Sequence, residues 1–382
     1  MADILHIIKT NYYKNDSRLT KWVDSLSMEN LKSEVFILQD NNKQKKWKEG
    51  DNKIIATRLH SRKYFKQRKG YLFKVPELAL RTIKQINSSN ASLIVFHDMQ
   101  QILTLFYFCL VNRQKTKRKK IVWDLHELPH EVLTKNYFSR KIIRFILSTV
   151  DLLIYTNIER REYILQKFRH SEKRFLVLNN YTDQSYSKTS RAAVPTKLEN
   201  WLDNRRYILW LGNAGINRNF LFALKSLKEY SDKFKLVVLG NIEPEIRDYI
   251  IKNNLQEFIF STFVPQDEMI NYIDNAFFSI VLYKNSSPNN FYCEPNRLYQ
   301  LTAREVPIIC GNNPPMKSFV QEFKAGIVLP DDGSNIDNLR VALKKMIKYQ
   351  NQFVGNLEKA DITDSHSWES QFSKVIKTLK EL

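Results

Sequence analysis

Short runs made almost wholly of apolar residues alternate with amphipathic stretches along this chain, and the alternation starts twice. Strands that are apolar throughout bury both faces, which requires a parallel sheet with helices on each side. In the first half the pattern predicts strands at 4–9, 34–38, 93–96, 121–124, 152–155 and 175–178. Helices are expected at 19–28, 76–87, 140–148 and 159–168, with an apolar helix after Met99. A polar, aperiodic stretch from Gln184 to about Pro195 reads as a linker. The second half then predicts strands at 207–211, 235–239, 258–260, 278–283, 307–310 and 327–329. Helices lie between them, one opened by Pro295, and a last amphipathic helix spans 368–379. The expected fold class is α/β, with two doubly wound Rossmann-like domains facing across a cleft. The boundaries are 1–185 for the first domain, 186–204 for the linker, 205–365 for the second, and 366–382 for a closing helix. Ligands in such sheets sit beyond the carboxyl ends of the strands.

At 382 residues the chain exceeds one ordinary core, in keeping with two domains. No 18-residue apolar run exists, and the most apolar window, 102–111, suits a buried helix. The first residues lack a basic segment ahead of an apolar one, so no secretory signal is expected. Cys109, Cys293 and Cys310 form neither a disulfide framework nor a metal-ligand spacing, which fits a reducing cytoplasm. The net charge is +20, and residues 1–190 hold 36 Lys and Arg against 18 Asp and Glu. Basic spots lie at 43–48, 58–74 and 113–120, and Tyr64, Phe65, Tyr71 and Phe73 interleave the middle one. An anionic membrane surface is the first reading of this half, at the inner face of the membrane. A solvated face comes second. Nucleic acid comes third, for no zinc-finger spacing, RNP strand or basic zipper accompanies the charge.

The segment 286–300 follows an apolar strand and leads through Pro295 into a helix. Proline fits a first helical position, where no amide donor is needed. Free amides and the helix dipole then point toward an anion, and Asn296 and Arg297 stand in the first turn. The loop Gly212-Asn213-Ala214-Gly215-Ile216-Asn217-Arg218 follows the first strand of the second domain. It is neither a Walker loop nor a dinucleotide fingerprint, and an ordinary strand–helix turn competes with a phosphate site there. Together the two segments make two anion sites on one face, suited to a diphosphate.

Trp123-Asp124-Leu125-His126-Glu127 ends a first-domain strand, and His97-Asp98 ends the one before. His126 could serve a sugar hydroxyl or a leaving phosphate, or be satisfied by a neighbouring carbonyl. Asp124 is expected to orient local backbone, and a zinc site is not expected. Asp16 or Ser17 caps the first helix, and Arg18 either faces the cleft or lies on the surface. No Asp-x-Asp pair for a Mg²⁺-diphosphate is present, so arginine and helix dipole are expected to neutralise charge without metal.

These pieces in their order resemble the GT-B glycosyltransferases of the large retaining family 4 type, over nearly the whole length. Asp16-Ser17-Arg18 resembles the family's Asp-Pro-Arg opening, and Asp124-Leu125-His126-Glu127 its Asp-x-His-Glu strand end. Gly212 to Arg218 resembles its Gly-Arg…Lys phosphate loop, Phe263 to Met269 the loop bordering the nucleotide base, and Ser286 to Gln300 the donor signature. The resemblance implies transfer of a sugar, with retention, from a nucleoside-diphosphate sugar, UDP-linked first, to a glycan or lipid-linked acceptor. Bacterial surface polysaccharide synthesis is the setting expected from it. It implies His126 and Asp124 as catalytic, and Gly212, Asn213, Arg218, Asn296 and Arg297 at the diphosphate. Gln300, Val264 and Leu298 would border ribose and base, and Asp16, Arg18 and His97 the acceptor side. No cofactor beyond the donor and no nucleic-acid partner is implied. The family's paired glutamates fall at Tyr292 and Gln300, and its loop arginine at Asn213. These departures leave open a non-catalytic subunit that scaffolds a partner transferase, or a nucleotide-sugar epimerase.

Overall fold

A computed structural model describes residues 3–10, 13–38, 45–65, 70–112, 118–170, 172, 174–360 and 362–382. Positions 43–44, 66–69 and 113–117 of the basic spots lie outside the described residues. The chain divides into two compact units, Met1–Asn179 with Gln371–Leu382, and Asn180–Ser370.

The first unit is an eight-stranded sheet flanked by helices. In chain order its elements are β1 (Ile4–Ile8), α1 (Ser17–Met28), β2 (Ser33–Leu38), β3 (Lys45–Glu49), β4 (Asn52–Thr57), α2 (Tyr71–Ser88) and β5 (Leu93–His97). They continue with α3 (Ile102–Asn112), β6 (Lys120–Leu125), α4 (Glu131–Lys135), α5 (Tyr137–Thr149), β7 (Leu152–Tyr155), α6 (Ile158–Phe168) and β8 (Phe175–Val177). The strand order is β3-β4-β2-β1-β5-β6-β7-β8, parallel except where β3 pairs with β4. That hairpin is absent from the sequence reading. Lys45-Lys46-Trp47-Lys48 has no apolar run, because β3 is the outer strand, and lysines there discourage pairing with another edge. Helix α2 also starts before Pro76 and carries it inside, losing one backbone bond.

The second unit holds six parallel strands: β9 (Arg206–Leu211), β10 (Phe234–Leu239), β11 (Ile259–Thr262), β12 (Phe278–Val281), β13 (Ile308–Cys310) and β14 (Gly326–Val328). Their order is β11-β10-β9-β12-β13-β14. Strand β9 shows why both faces must be covered. Tyr207, Leu209 and Leu211 enter one core cluster, and Ile208 and Trp210 enter the other. Each such buried side chain contributes about 1.5–3 kcal/mol.

In both sheets the chain runs outward one way and then the other from its first strand. The reversal falls between β1 and β5, and between β9 and β12. Loops leaving the two neighbouring strands diverge at such a point, and the opening favours a ligand.

The expected linker at 186–204 is corrected by the structure. It contains helices Gln184–Lys188 and Thr196–Leu202, with Leu198 and Leu202 in the core of the second unit. Buried Arg304 donates to the carbonyls of Tyr186, Ser187, Thr189 and Ser190, and pairs with Asp274 at 2.6 Å. One guanidinium thus satisfies carbonyls that no regular ladder serves, so a polar, aperiodic sequence is nonetheless fixed. The helix Trp368–Lys380 starts in the second unit and ends in the first.

Candidate functional site

Two polar centres lie at carboxyl ends of strands, one in each unit. In the first, Asp124 is fully buried one residue before the end of β6, and its two oxygens collect donors. Arg18 donates through Nε to Oδ2 at 3.0 Å and through Nη2 to Oδ1 at 2.7 Å. Trp22 Nε1 donates to Oδ2 at 3.0 Å, and His126 Nε2 lies 2.8 Å from the same oxygen. Helix α1 delivers both Arg18 and Trp22, at four-residue spacing on one face. Asp16 accepts from the Leu19 amide at 3.1 Å and so fixes where that helix begins.

Asp124 therefore binds side chains rather than orienting local backbone as expected. Arg18 is neither surface nor free: it is 6% exposed, and its Nη1 donates to the Leu178 carbonyl at 2.8 Å. Burial opposes the charge on Asp124, but Arg18 and His126 outweigh it and hold the carboxyl well below its usual range.

The histidines form a chain through the sheet. His6 Nδ1 lies 3.0 Å from His97 Nε2, and His97 Nδ1 lies 3.3 Å from Asp124 Oδ2. A carboxylate only accepts, so His97 donates from Nδ1 to Asp124, and its Nε2 accepts a hydrogen bond from His6 Nδ1. Burial keeps His6 neutral, with its pKa well below the ordinary value. His126 differs. Burial pulls its pKa down, but Asp124 and Asp98 on either side more than restore it, and the value is raised. Its Nδ1 is 3.6 Å from Asp98 Oδ1, so both ring nitrogens face carboxylates. Asp98 holds that position in a left-handed backbone, φ 63°, with its amide donating to the Asp124 carbonyl. His126 is thus a partly exposed imidazole, biased toward its protonated form, at the rim of a buried network, able to donate a proton or to orient a hydroxyl.

His97, Asp124 and His126 each bring one possible ligand atom within 4.8 Å of the others, the one such group among the described residues. The sequence reading did not foresee that cluster. A cation bound there would have to displace Arg18 and Trp22 from Asp124.

The second centre sits at the reversal between β9 and β12. Gly212 leaves β9 with φ 91°, a region that favours glycine, and Gly240 allows its carbonyl to pass closely. A Cβ on Gly212 would overlap the Arg218 guanidinium and lie 3.6 Å from Arg297 Nη1. The two cations thus converge on one glycine. Arg297, in the helix Asn296–Thr302, donates to the carbonyls of Leu211 and Leu282, across the reversal. Both guanidiniums flank Tyr283, with centroid distances of 4.7 Å for Arg297 and 5.3 Å for Arg218. Burial lowers the Arg297 pKa to about 10, and Arg218 adds to the shift. Among the described residues, no carboxylate pairs with either arginine. The Nε of Arg297 is buried without a partner.

Pro295 is the residue before the helix rather than its first, so Asn296, which is exposed, opens it. Asn213 is exposed as well. The other amide edge of the glycine loop is already taken, for Glu243 accepts from Ile216 N at 3.0 Å. That leaves the Gly212 side, rather than the whole loop, for an anion. Leu298 is fully buried and Val264 nearly so, both in the core, so neither side chain offers surface to a ribose. Gln300 is half-buried on the same helix. Glu294 does not replace the missing acids, because Tyr299 Oη donates to it. Sequence reasoning missed Trp22, His6, Tyr283 and Glu243. A histidine inside an otherwise apolar β1 was the available signal for the second of these.

No family model and no curated protein matches the chain. Solved structures do. Sucrose-phosphate synthase from Thermosynechococcus elongatus superposes with TM-score 0.76 at 12% identity, covering 100% of both chains. Anabaena HepE in complex with UDP gives 0.73 at 11%, also over 100% of both. The E. coli trehalose-6-phosphate protein bound with UDP-2-fluoro glucose gives 0.72 at 12%, over 99% of each. With full-length matches of this kind and two sheets that reverse at their first strands, the chain has the GT-B fold.

Proposed function

We propose that this protein is a glycosyltransferase that takes a sugar from a UDP-sugar and passes it, with retention, to a glycan or lipid-linked acceptor in surface polysaccharide synthesis. The observation that carries this is the convergence of Arg218 and Arg297 on Gly212 where the second sheet reverses. Two like charges at one glycine, without an acid between them, call for a bound anion. A departing diphosphate has that charge, and preorganised cations there would stabilise the leaving group. UDP in HepE and UDP-2-fluoro glucose in the E. coli protein, both of the same fold, point to the nucleotide.

In this reading His126 holds the donor sugar, and Asp124 with Arg18 and His97 fixes the orientation of its ring. Arg18 already occupies Asp124, which favours chemistry without metal. Acceptor recognition belongs to the basic first unit, held at the cytoplasmic face of an anionic membrane. Calorimetry with UDP, ADP and GDP, followed by UDP release from a panel of UDP-sugars, tests the proposal. UDP binding with sugar-dependent turnover is expected.

A second reading is favoured by Tyr292 and Gln300, which stand where the resembling family has glutamates. It is a subunit without turnover that supports a partner transferase, and absence of binding at millimolar nucleotide would select it.

A further inference from the structure

The helices that cover one face of the first sheet have an unusual outer surface. Strands β4, β5, β6 and β7 are linked through α2, α3 and α5, and right-handed crossovers in one direction place those helices on one side. Contacts join α2 to α3 and α3 to α5, so they form a continuous layer. Helix α3 has no charged residue, and a helix so apolar is ordinarily buried all round. Here Leu103, Tyr107 and Leu110, at i, i+4 and i+7, point outward and are 42–49% exposed. On α2, Leu72 is 87% exposed, and Phe73 and Leu80 are exposed too. Tyr137 and Phe138 stand open at the start of α5. Of 18 exposed large apolar side chains among the described residues, ten fall between 64 and 138.

The charge has the same address. Residues 41–150 contain 24 Lys and Arg against seven Asp and Glu. Of those seven, Asp124 is fully buried, Asp98 faces His126, and Glu77 is bound by Arg81 and the amides of His60 and Ser61. Lys135 is paired with Glu131 at 2.7 Å, and Lys63, Lys84 and Lys141 remain exposed, the last over the Tyr137 ring. Aromatic and aliphatic side chains ringed by lysine match an anionic bilayer, where the rings enter the interface and the ammonium groups meet phosphate. A protein partner would need a shaped groove, whereas a bilayer needs only this composition.

We propose that the α2–α3–α5 layer seats the protein on an anionic lipid bilayer, with Leu72, Leu103 and Phe138 among the inserted side chains. This rests on the membrane part of the reading above and deepens it by naming the face. Because α2, α3 and α5 each run back from the carboxyl side of the sheet, their first residues, Leu72, Phe73, Leu103, Tyr137 and Phe138, lie toward the side at which His97 and Asp124 stand. The bilayer thereby lies near the His126 centre, where a lipid-linked acceptor would need to be presented.

The test is vesicle flotation of the full chain with phosphatidylcholine alone and with 30% phosphatidylglycerol. Binding to the anionic vesicles is expected, falling roughly fivefold for each basic residue removed from the surface. The triple substitution Leu72→Gln, Leu103→Gln, Phe138→Gln should reduce binding at least tenfold while leaving UDP affinity unchanged. Equal binding of variant and wild type, or no preference for anionic vesicles, would overturn the proposal. So would a dimer that the triple substitution splits in the absence of vesicle binding, which would assign the face to a second copy. Loss of UDP binding in the wild type would sink the transferase reading and leave the vesicle result standing.

Discussion

Replacing Asp124 with Asn should unfasten the first unit more than any other single isosteric change. The carboxylate receives two bonds from Arg18 and one from Trp22, and lies 2.8 Å from His126 Nε2. If the Asn oxygen takes the Oδ2 position, its NH₂ group meets Arg18 Nη2, donor against donor. If it takes the other, that group meets four donors, from Arg18, Trp22, His126 and His97. Either way Arg18, 6% exposed, stays buried without a counter-ion. Removing one partner of a buried pair costs about 3–5 kcal/mol. For a unit of this size that corresponds to about 6–20 °C in the melting transition. Thermal unfolding followed by tryptophan fluorescence reads the change, since Trp22 and Trp123 are both buried in this unit. Adding Arg18→Met to Asp124→Asn should recover part of the loss, because it removes the orphaned cation. A shift below about 2 °C for the single variant, or no recovery in the double, would refute the account of Asp124 as the unit's electrostatic hub.

The same network has a signed pH dependence. The His126 pKa is raised in the folded state, so its stabilising contribution is full below the unfolded value and is lost as pH rises through the folded one. The stability gap between wild type and His126→Gln should therefore shrink from pH 6 to pH 9, as measured by urea unfolding. His6 has the opposite sign: its folded pKa is lowered, so acidification below its unfolded value destabilises, and His6→Gln should flatten that limb. Arg218→Ala should weaken UDP binding roughly tenfold to a hundredfold by calorimetry, with the melting temperature unchanged. Arg304→Met should lower stability by about 3–5 kcal/mol, because Asp274 is left buried and unpaired, and should open residues 186–190 to limited proteolysis.

Much of the fold was legible, because a strand buried on both faces must be apolar throughout. Strand β7 was expected at 152–155 and is found there. The hairpin of β3 and β4 was not legible, since its outer strand is selected for solubility and its period is broken by lysine. The site divides in the same way. His97, Asp124 and His126 stood out as polar groups at the ends of apolar runs. Arg18 could be placed after an N-cap, but its meeting with Asp124 spans 106 residues of sequence and exists only in the packed fold. Arg297 was legible as a cation at a helix start. Its bonds to the Leu211 and Leu282 carbonyls depend on which strands are neighbours, which local pattern does not encode.

The helix that closes the chain gives the order of events during synthesis. Phe372 packs edge-on against Trp22 at 4.9 Å, and the Gln371 side chain bonds both the amide and the side chain of Asn179. The first unit is therefore built from two separate stretches of the polypeptide, whereas Asn180–Ser370 is continuous. On the ribosome the later unit can complete its core before the earlier one, reversing the usual amino-first sequence. Until residues 371–382 emerge, Trp22 lacks its cover, and the helix that presents Arg18 to Asp124 lacks its brace. A chain cut short before them would keep the continuous unit Asn180–Ser370 and lose the ordered His126 centre.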